Sequence, residues 1–234
     1  MIIAIDGPSG AGKSTLGRMI ARAFNLLYID TGAMYRAVAL AVMRSGVSTR
    51  DAAKVATVAE GANINLAGDP DSLLVTLDGR DVSDEIRSEE VSHTASVIST
   101  IPEVRRTLVE RQRTLAQQGG GAVLDGRDIG TVVFPTADVK FFLTAAPETR
   151  ATRRYEEDRL RERDATFEET LADITARDAR DSTRTDSPLA ISEDAVVIDS
   201  TGLSIDEVFA RMVQAIRERA PQEGTQGALD SPRP

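Results

Sequence analysis

The stretch Gly7-Pro8-Ser9-Gly10-Ala11-Gly12-Lys13-Ser14 constrains this chain more than any other. It follows a short apolar run, Ile2-Ile3-Ala4-Ile5, and precedes a helical pattern with Leu16, Ile20, Ala23 and Phe24 on one face. Strand, Gly-rich turn and helix, in that order, is the setting that a phosphate-binding loop requires. Glycines let successive backbone N–H groups turn inward around an anion, and the helix behind them aims its positive dipole end at the same point. In such a loop Lys13 reaches the β- and γ-phosphates, and the Ser14 hydroxyl ligates Mg²⁺. A Gly-rich turn without a ligand would need neither the lysine nor the hydroxyl.

The length of 234 residues suits one α/β domain with an insertion, or one large and one small domain. With 41% hydrophobic and 28% charged residues the chain can build a core. It has no Cys, which excludes disulfides, zinc thiolates and thiol nucleophiles and fits a reducing compartment. No signal peptide precedes the loop and no apolar run approaches membrane length, so a soluble cytoplasmic protein without a membrane partner is expected. The net charge of −9 argues against binding long nucleic acid. It does not argue against nucleotides, because arginines can be concentrated locally in an acidic protein.

After the first helix, Leu26-Leu27-Tyr28-Ile29 reads as a second strand ending at Asp30-Thr31-Gly32. A helix from Ala33 to Arg44 follows, with Met34, Ala37, Val38, Ala41 and Val42 on its apolar face and Tyr35 and Arg36 in its first turn. An arginine there opposes the dipole preference. It is either a surface residue or a partner for an anion near the helix start. From about Glu60 to Ser92 the texture changes. Asn63–Leu66 and Leu73–Leu77 look like short strands around the turn Gly68-Asp69-Pro70-Asp71, and Asp78-Gly79 is a second turn signal. This is a small substrate-side subdomain or a decorative hairpin. Asp78-Gly79-Arg80-Asp81 repeats a tetrapeptide found again at Asp125–Asp128, and the first copy reads as turn chemistry. The lone His93 receives no role.

A helix from Pro102 to about Gln118 leads through Gly119-Gly120-Gly121 into a central strand, Ala122-Val123-Leu124, that ends in Asp125-Gly126-Arg127-Asp128. Ligands of open α/β sheets sit beyond the carboxyl ends of strands, so this charged cluster reads as functional. Val139–Thr144 is the next strand. Arg150 to Arg163 alternates arginines with acids, as either an exposed salt-bridged helix or a lid that carries arginines over phosphates. An amphipathic helix from Phe167 carries Arg177, Arg180 and Arg184. Ala195–Asp199 is a last strand, and Ser204 to Arg217 a last helix, with Ser204 and Glu207 as a capping box. From Arg219 the chain is polar, with Pro and Gly, and is expected to be disordered. The whole predicts an α/β fold: a parallel sheet of about five strands flanked by helices.

A phosphate loop with many arginines implies phosphoryl transfer, in which cations neutralise charge on the equatorial oxygens. No Asn-Lys-x-Asp motif is present, which counts against a GTPase switch. Four segments together resemble bacterial cytidylate kinases, of the phosphate-loop nucleoside monophosphate kinase class: Gly7–Thr15, Asp30–Arg36, Asp125–Pro135 and Arg177–Arg184. The DGRD-IGTVVFP stretch is the most discriminating, and order and spacing fit from residue 1 to about 217. Thr31 stands where Ser is frequent and keeps the hydroxyl. Ser14-Thr15 stands where some members have Gly-Thr.

The resemblance implies an ATP- and Mg²⁺-dependent kinase acting on CMP and dCMP as a monomer. It implies a core at 1–59 and 93–218, a monophosphate-binding insertion at about 60–92, a lid at about 150–165, and a tail at 219–234. Gly7, Pro8, Ser9, Gly10, Ala11, Gly12, Lys13, Ser14 and Thr15 would bind ATP, with Ser14 and Asp125 at the metal. Ser96, Arg105 and Asp128 would contact cytosine; Arg36, Arg127 and Arg184 the monophosphate; Arg177 and Asp181 the sugar. Thr31 and Tyr35 belong to the same substrate site. Lys13, Arg127 and Arg184 would stabilise the transferring group, with Arg153 and Arg154 as lid candidates. Kinases for UMP, AMP or shikimate, and a regulatory module that binds ATP without transferring phosphate, are the competing readings. The DGRD stretch and the large insertion weigh against the other kinases, and the complete set of arginines against the regulatory module. Lys13→Ala is expected to lower the transfer rate by orders of magnitude in a folded protein, as seen by steady-state kinetics beside circular dichroism. Near wild-type transfer by a folded variant would contradict the assignment of the loop.

Overall fold

The computed structural model describes residues 1–70, 72–160 and 165–219. Asp71 of the expected turn, Arg161, Glu162 and Arg163 of the charged segment, and residues 220–234 of the expected tail lie outside the described residues. The chain opens with β1 (Ile2–Asp6), the glycine loop and α1 (Lys13–Ala23), then β2 (Leu27–Asp30) and α2 (Thr31–Ser45). Helix α3 (Ala52–Gly61) leads into β3 (Ile64–Ala67), β4 (Leu74–Leu77) and β5 (Arg80–Asp81). A short 3₁₀ turn precedes α4 (Glu89–Ile98), and α5 (Pro102–Gln117) brings the chain back to β6 (Ala122–Gly126). A π-helical turn, Ile129–Val133, then β7 (Val139–Thr144), α6 (Pro147–Leu160), α7 (Phe167–Thr183), β8 (Val196–Asp199) and α8 (Ile205–Arg219) complete it.

Strands β2-β6-β1-β7-β8 form a parallel sheet in that order. Its inner strands are mostly apolar because helices cover both faces. On one face Met34, Val38 and Leu40 of α2 and Val104 and Leu108 of α5 bury against Ala4, Ile29 and Leu124. On the other, Leu16 and Ile20 of α1 and Val208, Met212 and Ile216 of α8 bury against Ile3, Ile5 and Phe141.

Among the described residues β3-β4-β5 form a separate antiparallel sheet. Two strands were expected there. The third arises because Asp78 (φ +51°) and Gly79 (φ +78°) make a tight two-residue hairpin that turns Arg80-Asp81 back onto Thr76 and Leu77. Helices α3 and α4 were not anticipated. Asp51 caps α3 by accepting from the Lys54 N–H (3.2 Å), and Ser88 caps α4 by accepting from the Val91 N–H (3.3 Å). The capping box of α8 forms as read: Ser204 N–H donates to Glu207 Oε2 (2.8 Å), and Glu207 N–H donates to Ser204 Oγ (3.3 Å). Arg219, read as the start of the tail, is the last residue of α8 and donates to the Asp194 carbonyl (2.7 Å). No helix among the described residues is long and apolar enough to cross a membrane.

Asp6 ends the central strand and is buried. Its carboxylate accepts from the Ile129 and Gly130 N–H groups at 2.8 and 2.7 Å, at the start of the π-helical turn. At the far end of that turn Arg113 donates to the carbonyls of Val132 and Val133, both at 2.9 Å. An acid on the amide end and a cation on the carbonyl end match the polarity of the turn.

Burial pushes the Asp6 carboxyl up to about 6, and the two backbone N–H groups offset only part of that. A carboxyl raised in the folded state favours folding below its unfolded value near 4, and that contribution disappears as pH rises through about 6. Between pH 4 and 7 the unfolding free energy of Asp6→Asn should therefore move in the variant's favour relative to wild type by about 2–3 kcal/mol, whatever the offset between them. Urea melts at the two pH values read it. A pH-independent difference would contradict it.

Candidate functional site

The carboxyl ends of β1, β2 and β6 lie side by side, with Asp30 level with Asp125 and Asp6 level with Gly126. The chain runs from β1 to β2 past the position of β6, and from β6 to β7 past β1. Such a reversal of strand order opens a crevice at the carboxyl edge. A cleft of about 1790 Å³ lies there, lined by the loop from Ser9 to Thr15 and by side chains of α2, α4, α5, α6 and α7.

The loop is built around glycine. Gly7 has φ +146°, and a Cβ there would overlap the Leu143 carbonyl of β7, so no other residue fits the strand exit. Gly12 (φ +88°) sits at the N-terminus of α1 and offers no side-chain cap, which leaves the first helical N–H groups to a ligand. Lys13 is buried and donates to the Pro8 carbonyl (2.7 Å). Burial, and after it the Arg127 guanidinium, hold Lys13 well below the ordinary lysine range. Beneath the loop lies Arg150, also buried. It donates to the Ser9 and Ala145 carbonyls (2.9 Å each) and pairs with Asp178 of α7 (2.6 Å). The charged run had offered Arg150 only as part of an exposed helix or lid. In the fold it supports the loop from below.

Ser14 Oγ donates to Asp125 (2.7 Å), Tyr28 donates to the other carboxylate oxygen (3.1 Å), and Thr31 Oγ1 donates to the Asp125 carbonyl (2.6 Å). Burial, then Asp30, pushes the Asp125 carboxyl up to about 6. Two neighbouring carboxylates and a hydroxyl are an all-oxygen donor set that fits a hard cation shared with phosphates. Among the described residues no group of three or more acidic, His or Cys side chains could hold a metal ion by itself.

The arginines enter from three sides. Asp30 caps α2 by accepting from Ala33 N–H (2.7 Å), and its other oxygen takes Arg36 (3.2 Å). Arg127 donates through Nε to Asp181 (2.8 Å). The i,i+4 partners Arg177 and Asp181 share a face of α7, yet the carboxylate bonds Arg127. Burial pushes Asp181 up, but Arg127 and Arg177 outweigh it and hold the carboxyl below the usual range. Burial, then Arg127, lowers Arg177 to about 10. Buried Nε atoms of Arg36, Arg105 and Arg177, and Nη2 of Arg184, have no hydrogen-bond partner. Such donors are costly unless a ligand accepts from them.

Farther along the cleft, Arg105 and Asp128 form a buried ion pair, and Arg184 approaches the second Asp128 oxygen at 3.6 Å. Arg105 lies over the Tyr35 ring at 5.8 Å. Burial pushes the Tyr35 hydroxyl up to about 12. Ser96 of α4 completes this wall, and its hydroxyl accepts from Arg180 (2.5 Å), which the sequence reading left unassigned. Of the lid candidates, Arg153 donates to Ser200 Oγ (3.0 Å) and to its carbonyl (2.8 Å). Arg154 pairs with Asp158 (3.2 Å) and Glu157 (3.7 Å) on its own helix. Both line the cleft, but neither joins the cluster around Lys13.

A family model described as cytidylate kinase matches residues 3–218. Proteins named cytidylate kinase from Geobacter sp. (strain M21) and Caldanaerobacter subterraneus are 48% and 50% identical to this chain; the first match covers 95% of each chain, the second 94% of this chain and 96% of the relative. A crystal structure of an uncharacterized protein from Eubacterium ventriosum shares the fold, with a TM-score of 0.52 at 12% identity over 94% of this chain and 99% of that one. Because the match runs through every element that builds the cleft, and half the positions are identical in named relatives, the chain belongs to the cytidylate kinase family.

Proposed function

We propose that this kinase transfers the γ-phosphoryl group of ATP directly to CMP and dCMP, giving CDP and dCDP. One observation carries the reading. Arg36, Arg177 and Arg184, each with a buried guanidinium nitrogen that makes no hydrogen bond, line the same cleft as a glycine loop and a buried lysine. The residues Gly7 to Thr15 receive the donor phosphates through backbone N–H groups and Lys13. Arg36, Arg127 and Arg184 hold the acceptor phosphate, and Arg177 and Asp181 the sugar hydroxyls. Ser14 and Asp125, the latter through water, would hold Mg²⁺, which supplies positive charge to the phosphate oxygens. Lys13, Arg127 and Arg184 are already oriented by Pro8, Asp181 and Asp128, so stabilising the transferring charge requires little rearrangement. The part of α6 beyond the buried Arg150, where Arg153 and Arg154 line the cleft, is assigned as a lid that excludes water from the transfer. Thr31 and Tyr35 shape the floor of the substrate site. Every group the mechanism uses lies in one chain, and we assign a cytoplasmic monomer that acts on small nucleotides, without nucleic acid or membrane.

Base choice follows from Asp128 with Arg105 and Ser96. The carboxylate accepts from the exocyclic amine of cytosine, whereas uracil offers an acceptor at that position. A coupled assay of ATP with CMP, dCMP, UMP, AMP and shikimate should give the highest kcat/KM for the two cytidylates. Faster turnover of AMP or shikimate would contradict the reading.

Asp128→Asn keeps an oxygen for Arg105 but presents an amide donor, which accommodates uracil. Its preference for CMP over UMP should fall roughly ten- to a hundredfold, with ATP affinity little changed. Equal losses for CMP, UMP and ATP would make Asp128 structural.

A further inference from the structure

Arg180 lies on α7 among the residues assigned to sugar and phosphate, but it is bonded differently from them. Two carboxylates flank it in sequence, and both are engaged elsewhere: Asp178 pairs with Arg150 (2.6 Å) and Asp181 accepts from Arg127 (2.8 Å). Arg180 instead reaches across the cleft, and its Nη1 donates to Ser96 Oγ of α4 at 2.5 Å. Ser96 is 4% exposed, and it stands on the wall that carries Arg105: Ser99 donates to the Ser96 carbonyl (2.9 Å), and Arg105 Nη1 donates to the Ser99 carbonyl (3.3 Å). A long cationic side chain thus crosses the cleft to a neutral hydroxyl, in a region where carboxylates are the ordinary partners of arginine.

The bond matters because a hydroxyl is ambiguous. A serine can turn its proton toward an acceptor or a lone pair toward a donor, so alone it reads cytosine and uracil alike. A guanidinium only donates. Seated on the Ser96 oxygen, it occupies a lone pair, turns the hydroxyl proton away from itself, and opposes the approach of a second donor by its charge. The ring nitrogen N3 is an acceptor in cytosine and carries a proton in uracil. A hydroxyl fixed as a donor matches the first and meets the second donor to donor.

We propose that Arg180 is a positioning residue for base selection: through Ser96 it fixes the hydroxyl as a donor and so favours cytosine N3 over uracil N3–H. This rests on the reading of the cleft as a CMP site.

The test is kcat/KM for CMP and for UMP in wild type, Arg180→Met, Arg180→Gln, Arg180→Lys, Ser96→Ala and the double variant Ser96→Ala/Arg180→Met. Arg180→Met should lower the CMP-to-UMP ratio about five- to tenfold, the scale of one hydrogen bond of the wrong polarity. Arg180→Gln, whose amide accepts as well as donates, should lose the ratio similarly. Arg180→Lys, which only donates, should restore most of it. In the Ser96→Ala background Arg180→Met should change the ratio no further, because the two residues act as one unit. An Arg180→Met protein that loses CMP and UMP turnover equally would make the bond a clasp between the cleft walls and overturn the proposal. So would a loss of ratio that persists undiminished without the Ser96 hydroxyl. A wild type that prefers CMP, with variants that prefer it as strongly, removes this inference alone. A wild type without that preference removes the CMP reading and this inference with it.

Discussion

The burial of several cations, sharpened by their mutual repulsion, is the constraint on which this cleft depends. Lys13 and Arg177 are each lowered by burial and then by Arg127, and Arg184 by burial and then by Arg105. Gathering cations away from water is unfavourable unless anions lie between them. The chain provides some of those anions itself. Asp128 stands between Arg105 and Arg184, and Asp181 takes Arg127. These carboxylates orient the cations without covering every donor: the Nε atoms of Arg36, Arg105 and Arg177 keep no hydrogen-bond partner.

The sheet makes that arrangement rigid. The strands β1, β2 and β6 end in Asp6, Asp30 and Asp125-Gly126, so their common carboxyl edge presents carboxylates from buried backbone. Each has a structural partner, and Asp30 and Asp125 also line the cleft. Asp6 accepts from the turn that follows Asp128, Asp30 caps the helix that carries Arg36, and Asp125 accepts from Ser14. Arg150 ties the glycine loop to α7, the helix that carries Arg177, Asp181 and Arg180. Parts assigned to different portions of the ligands are therefore joined by a few buried hydrogen bonds and the Arg150–Asp178 ion pair.

What was legible in the sequence was local. The glycine loop, the apolar strands and the Asp125–Asp128 cluster carry their chemistry in contiguous residues, and the strands they predict form a parallel sheet of five. Helices α3 and α4 escaped because their sequences lie beside turn-rich strands, although Asp51 and Ser88 were present as caps. The pairing of charges was not legible. Arg150 with Ser9, Arg127 with Asp181 and Arg180 with Ser96 join residues far apart in the chain, and no spacing announces them. An alternating run of arginines and acids has the same pattern whether it is exposed or, like Arg150, buried under a loop. For the same reason the i,i+4 spacing of Arg177 and Asp181 placed both on one face but did not name the partner of the carboxylate.

On the proposed function the cleft is organised around phosphate charge more than around the base. Thermal unfolding of the protein with CMP, and separately with cytidine at the same concentration, tests it most directly. The account predicts that CMP raises Tm with concentration, by about 2.7 kcal/mol of added stability at a hundred times its Kd, while cytidine at that concentration adds little. Equal stabilisation by cytidine would show that the arginines are not what holds the nucleotide, and would contradict the account.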